Sequence, residues 1–218
     1  MLLLCCQQAK KNSASRTQAT VIMGADQTGA YLPQLQGKNV GFVVNNNAFI
    51  GNRFLVDTLS DFGIKLAKRF GAERVLCDSN GINLMENKPE IPLVLLYNGK
   101  YKPGKQDLDG IDIMLFDVQD LGVRFYIYLA TLHYIMEACA ENNIPLIILD
   151  RPNPIGSYVD GPILDSQLAS YLGTDPLPVT HGLTIGEYAN MINGEGWLKD
   201  GMSCEIRIIK LKNYRHGS

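Results

Sequence analysis

Residues 111–128 read IDIMLFDVQDLGVRFYIY, and this stretch decides the fold. Ile111 to Asp117 is apolar but for Asp112 and its closing aspartate. Such a run, without strict alternation, fits a strand covered on both faces, as in a parallel sheet. Polar Gln119-Asp120 follows, and the spacing then predicts a long helix over Tyr126–Asn142, with apolar residues at Ile127, Ala130, Tyr134, Ile135, Ala138 and Cys139.

The same grammar extends both ways. Asn39–Asn45 (NVGFVVN) reads as a buried parallel strand between Gly37 and the polar Asn45-Asn46-Asn47. Arg53–Phe62 has helical spacing at Phe54, Leu55, Leu59 and Phe62, and Gly63 ends it. Ile64–Phe70 and Ile91–Tyr97 are the next strands, with residues 71–90 expected as a loop. Downstream come a strand at Ile144–Asp150 (IPLIILD), a helix at Thr184–Asn193 whose Thr184 and Glu187 fit a capping box, and a late strand at Cys204–Leu211. Strands alternating with helices mean an α/β fold with a mainly parallel sheet and helices on both faces. There is no internal repeat.

Composition narrows the function. The chain has 218 residues, 46% hydrophobic and 19% charged, with 20 Lys+Arg against 22 Asp+Glu. Global disorder is excluded, and so is a broad basic face for nucleic acid. No apolar run reaches the roughly 20 residues of a membrane-spanning helix. The cysteines show no C-x-x-C pair, and Cys77, Cys139 and Cys204 read as small buried hydrophobes. His133 reads as packing and His216 as bland, and the scattered histidines give no metal site. Neither a glycine-rich phosphate loop nor a Gly-x-Ser-x-Gly elbow occurs, so no cofactor is expected and an α/β-hydrolase is disfavoured.

In open α/β sheets the ligand crevice lies beyond the carboxyl ends of the strands. That rule selects three places: Asn45-Asn46-Asn47, Asp117 to Arg124, and Asp150 to Pro154. Asp117, Asp120, Arg124, Tyr126 and Tyr128 together suit a ligand rich in hydroxyls. Equally, Asp117 or Asp120 could cap the next helix with Arg124 as ion-pair partner. Pro152 and Pro154 stiffen a segment that presents Asp150, Arg151 and Asn153, either to a ligand or to backbone donors within a turn. His181, beside Gly182 and just before a helix, could serve in proton transfer or be structural.

Taken in order, several stretches resemble the exo-β-N-acetylmuramidase family, long catalogued as a domain of unknown function. They are Gly37–Gly41 with Asn45, Leu55–Leu59, Asp112–Tyr128, Asp150–Pro154, Asp160-Gly161-Pro162 and His181–Glu187, and the likeness runs over roughly residues 24 to 216. The resemblance implies a Rossmann-like domain with a smaller C-terminal domain, a site in the cleft between them, and release of terminal N-acetylmuramic acid from peptidoglycan fragments. It implies Glu73 as the acid, Asp117 or Asp120 as its partner, and assistance by His181. It also implies Arg124 or Arg151 for the lactyl carboxylate, and Tyr126 and Tyr128 stacking on the sugar, with Asn45, Asp150 and Asn153 among the binding residues.

Two departures stand out. Where the family carries a Pro-Glu-His-Gly-Phe-Arg-Gly-type motif, this chain has Glu73 followed by Arg74 and Val75. An arginine stays protonated and cannot be a general base. The resemblance also implies that family members continue past Lys212–His216 into a C-terminal domain, which is expected to be missing here. The alternative expectation is therefore a catalytically impaired, truncated remnant or a muropeptide-binding module.

Leu2-Leu3-Leu4-Cys5 resembles the end of a lipoprotein signal peptide, and the polar Gln7–Thr20 a tether. The expected organisation is a tether over residues 1–20 and one Rossmann-like domain over 21–218. A periplasmic or membrane-anchored location, through lipid on Cys5 or Cys6, goes with it.

Overall fold

The computed structural model describes residues 19–71, 76–86, 88–96 and 99–217. Its centre is one six-stranded sheet in which each strand runs parallel to its neighbours. The elements in chain order are α1 (Thr28–Leu35), β1 (Asn39–Val44), β2 (Phe49–Ile50), β3 (Arg53–Phe54), α2 (Leu55–Asp61), β4 (Lys65–Gly71), β5 (Leu93–Leu95), β6 (Ile113–Asp117), α3 (Ile127–Asn142), β7 (Leu146–Leu149), α4 (Ile185–Glu195) and β8 (Ile206–Ile209). Across the sheet the order is β5-β4-β1-β6-β7-β8. Chain order thus reverses direction between β1 and β6, the topological switch point of a doubly wound fold.

The central strands β1, β6 and β7 are almost entirely apolar because both their faces are covered. Val40, Phe42, Ile113, Leu115, Ile147 and Leu149 pack with Tyr31, Leu35, Leu55 and Leu59 of α1 and α2. The alternate residues Val43, Met114, Phe116, Leu146 and Ile148 pack with Leu132, Met136, Tyr188 and Ile192 of α3 and α4. Period-two alternation therefore separates two apolar cores rather than a core from water. Cys139 and Cys204 are free and buried in the second core, whereas Cys77 is half-buried. No helix among the described residues is long and apolar enough to cross a membrane.

Expected and observed elements agree closely, with two differences. Arg53 and Phe54 do not open the second helix. They form β3, paired antiparallel with β2 and packed through the Phe49 and Phe54 rings, 5.6 Å apart. Within 71–90 the described residues hold only a Cys77–Asn83 bridge, as a loop would. Helix α1 precedes the first expected element and buries Tyr31, Leu32 and Leu35. Thr184 and Glu187 do form both bonds of the capping box on α4.

The segment before α1 is built into the sheet's edge. Ile22 and Lys212 exchange backbone hydrogen bonds at 3.0 Å, and Gly24 N–H donates to Asp150 O at 2.9 Å. A Cβ on Gly24 would stand 2.5 Å from both Asp150 N and Ile209 O, backbone atoms that cannot move aside cheaply. Gly24→Ala should therefore cost about 2–3 kcal/mol of stability, read as a lower urea midpoint. An unchanged midpoint would show that the segment is not docked here.

Candidate active site at the sheet rim

The carboxyl ends of β1 and β6 lie side by side, Val44 opposite Asp117. Beyond them Asn45 closes the switch point. Its Nδ2 donates to Gln119 O at 2.9 Å, and its Oδ1 accepts from Gln119 N and Asn47 N, both at 3.3 Å. A narrow crevice opens above, with a cavity volume of only about 10 Å³, lined by Val43, Asn45, Gly71, Val118, Tyr128 and Thr131. Gln119, Gly71 and Thr131 were not singled out from sequence. Gln119, between two aspartates, was the one with a visible signal.

Asp117 is fully buried. Arg151 Nε meets its Oδ1 at 2.5 Å and Arg151 Nη2 its Oδ2 at 2.8 Å, a bidentate pair between the ends of β6 and β7. Burial pushes the Asp117 carboxyl above the usual carboxylate range, against the downward pull of the Arg151 charge and hydrogen bonds. Arg151 also donates to Phe49 O at 3.3 Å and approaches Met23 Sδ at 3.4 Å. Its guanidinium is thus fully engaged inside the protein.

Asp120 sits deeper in the β6–α3 loop, 3% exposed. Its Oδ2 accepts Gly122 N–H at 2.7 Å and meets His181 Nε2 at 3.1 Å. Leu183 N–H donates to His181 Nδ1 at 3.2 Å, which leaves the ring proton on Nε2, pointing at Asp120. The His181 ring is wholly buried, with both nitrogens occupied. Asp120 Oδ1 is buried without a hydrogen-bond partner. Gly122 makes the turn at φ 84°, where a Cβ would strike Asn153 Oδ1 at 2.4 Å.

The remaining expected residues divide. Asp150 Oδ1 accepts Gly186 N–H at 2.8 Å and Oδ2 the Thr184 hydroxyl at 3.0 Å, so its carboxylate faces the first turn of α4. Burial raises its pKa to about 6, against those hydrogen bonds. Asn153 donates to Leu183 O at 2.9 Å. Arg124 reaches Pro162 O at 2.9 Å and Leu177 O, fastening a platform in which Val123 and Asp160 both bridge to Thr180. Arg151 is thus taken up within the protein, whereas half-buried Arg124 makes both of these bonds through Nη1. Tyr126 is exposed, and its ring lies 5.9 Å from that of Tyr128 at 29°. Glu73, with Arg74 and Val75, lies outside the described residues, as do Cys5 and Cys6. Among the described residues no three His, Cys, Asp or Glu side chains converge on a metal position.

The raised Asp150 pKa carries a pH signature. Its folded value, about 6, exceeds the unfolded value of roughly 3.9, so folding takes up a proton between them. That contribution is complete below about pH 4 and lost as pH rises through 6. The stability of the natural chain relative to Asp150→Asn should fall by about 2 kcal/mol from pH 4 to pH 7, read from urea midpoints. A pH-independent difference would remove the inference.

With this geometry in place, the comparisons can be set beside it. The profile described as "Exo-beta-N-acetylmuramidase NamZ, N-terminal" matches residues 40–218. The curated protein "Peptidoglycan beta-N-acetylmuramidase NamZ" of Bacillus subtilis (strain 168) is 37% identical over 193 residues, 85% of this chain and 46% of its own length. This chain thus spans about half of that relative. Two crystal structures of DUF1343 family proteins from Bacteroides fragilis NCTC 9343 superpose well. One has a TM-score of 0.82 at 40% identity, covering 92% of this chain and 54% of its own; the other has 0.81 at 30%, covering 91% and 52%.

Proposed function

The chain belongs to the exo-β-N-acetylmuramidase NamZ family, and from that premise we propose that the sheet rim above its crevice binds a terminal N-acetylmuramic acid of a peptidoglycan fragment for hydrolytic release. The observation that carries this reading is the Asp120–His181 pair at the switch-point rim. One carboxylate oxygen is held by an imidazole N–H and a backbone N–H, and the other has no hydrogen-bond partner among the described residues.

Glycoside cleavage takes two carboxyl groups, one protonated to assist the leaving oxygen and one ionised. Glu73, two residues past crevice-lining Gly71, is proposed as the acid. Asp120 is proposed as the partner carboxyl, held through Oδ2 by both donors. His181 positions it. Asp117, locked to Arg151, supports the rim from below. Tyr126 and Tyr128 supply the aromatic faces for the sugar. Export, with lipid attachment at Cys5 or Cys6, belongs to the same proposal, because muropeptides are cell-wall material.

Arg74, standing where the family motif has histidine, favours a second reading, muropeptide binding without turnover. The two separate in one assay. Incubated with the disaccharide MurNAc-GlcNAc, the chain should release N-acetylmuramic acid, and Asp120→Asn should slow release by about 100-fold or more. Absence of release beside an active longer relative, with disaccharide still bound, would establish the second reading.

A further inference from the structure

A second hollow lies on the outer side of α3. It is an open depression with a volume of about 300 Å³, lined by His133, Tyr134, Glu137, Thr174 and Trp197, with exposed Ala169 on its edge. His133 and Glu137 lie roughly 8 and 14 Å further along the helix than Tyr128, at 1.5 Å per residue. Tyr171, whose hydroxyl stands 3.5 Å from that of Thr131, lies near the crevice end of this face. The hollow is therefore separate from the crevice.

Its polar groups are buried and aimed. Asp175 Oδ2 takes His133 Nδ1 at 2.8 Å, the Thr174 hydroxyl at 3.3 Å and the Tyr188 hydroxyl. A carboxylate at Nδ1 keeps the proton there and leaves Nε2 as the second functional atom of the ring. His133 is only 7% exposed. Glu137 Oε2 stands 3.8 Å from its Nε2, beyond bonding reach. Glu137 is anchored by Lys102 Nζ at 2.6 Å and Lys199 N–H at 3.0 Å. Two anchored polar atoms 3.8 Å apart can each meet one of two neighbouring ligand hydroxyls, at about 2.8 Å apiece. Beside them stand the half-buried rings of Tyr134 and Trp197. An aromatic face next to fixed polar atoms is what a pyranose requires, because its C–H face stacks while its rim hydroxyls bond.

We propose that this hollow is a second saccharide site, binding one N-acetylated amino-sugar unit of a glycan. The hollow is argued from its own geometry; the choice of amino sugars over other pyranoses rests on the muramidase reading.

Trp197 is the chain's single tryptophan, so its fluorescence reports this hollow directly. Titration of the whole chain with N,N′-diacetylchitobiose should give a saturable change with a Kd of about 1 mM. Ala169→Phe, which fills the mouth, should abolish it, and Tyr128→Ala in the crevice should leave it intact. Should Ala169→Phe fail to fold, His133→Phe, which removes Nε2, is read in the same way. No saturable response up to about 50 mM, a response surviving the filled mouth, or one lost in Tyr128→Ala would each overturn the proposal. Loss of N-acetylmuramic acid release with an intact Trp197 response would count against the crevice reading alone.

Discussion

Asp117 and Arg151 carry opposite charges into a part of the protein that water does not reach, and neither could stay there without the other. Removing one partner of such a pair costs about 3–5 kcal/mol, because the survivor remains buried and unpaired. The pair joins the ends of β6 and β7. Through Phe49 O and Met23 Sδ the same guanidinium draws in the β2–β3 hairpin and the segment before α1. The rim is therefore tied at one point to four separate parts of the chain.

This constraint sorts the acids that follow. With Asp117 turned inward, the chain passes Asn45 and Gln119 and brings Asp120 to His181. Asp150, one residue before Arg151, is turned towards α4, where Gly186 leaves room for it: a Cβ there would stand 2.9 Å from Asp150 Cγ. Three rim carboxylates thus acquire three environments: an ion pair, an imidazole-held site with one unpartnered oxygen, and a helix first turn. Such divergence of neighbouring acids is the arrangement that lets one of them do chemistry while the others hold the frame.

Much of the scaffold was readable from the residues. Strands buried on both faces announce themselves as unbroken apolar runs, and α4 announces its start through Thr184 and Glu187. Helix α1 gave no such signal, since it is short, contains Pro33 and buries only Tyr31, Leu32 and Leu35. Arg53 and Phe54 showed helical spacing, yet their pairing with Ile50 and Phe49 decides their conformation. At the rim, sequence located Asp117, Asp120, Asp150, Arg151, Asn153 and His181 but not their directions. Those depend on partners 34, 61 and 74 positions apart, for Asp117–Arg151, Asp120–His181 and Asn45–Gln119. The two arginines suggested carboxylate recognition; Arg151 is bound to Asp117, while Arg124 spends Nη1 on two backbone carbonyls.

The central claim is that an amino sugar bearing a lactyl ether settles at the β1–β6 switch point. Two-dimensional NMR of the isotope-labelled chain during titration with N-acetylmuramic acid addresses it at residue resolution. The account predicts shifted backbone amides at Asn45, Gly71, Val118 to Gly122 and Tyr128, with the β5 edge of the sheet unmoved. Shifts confined to another face, or none at saturating sugar, would contradict it.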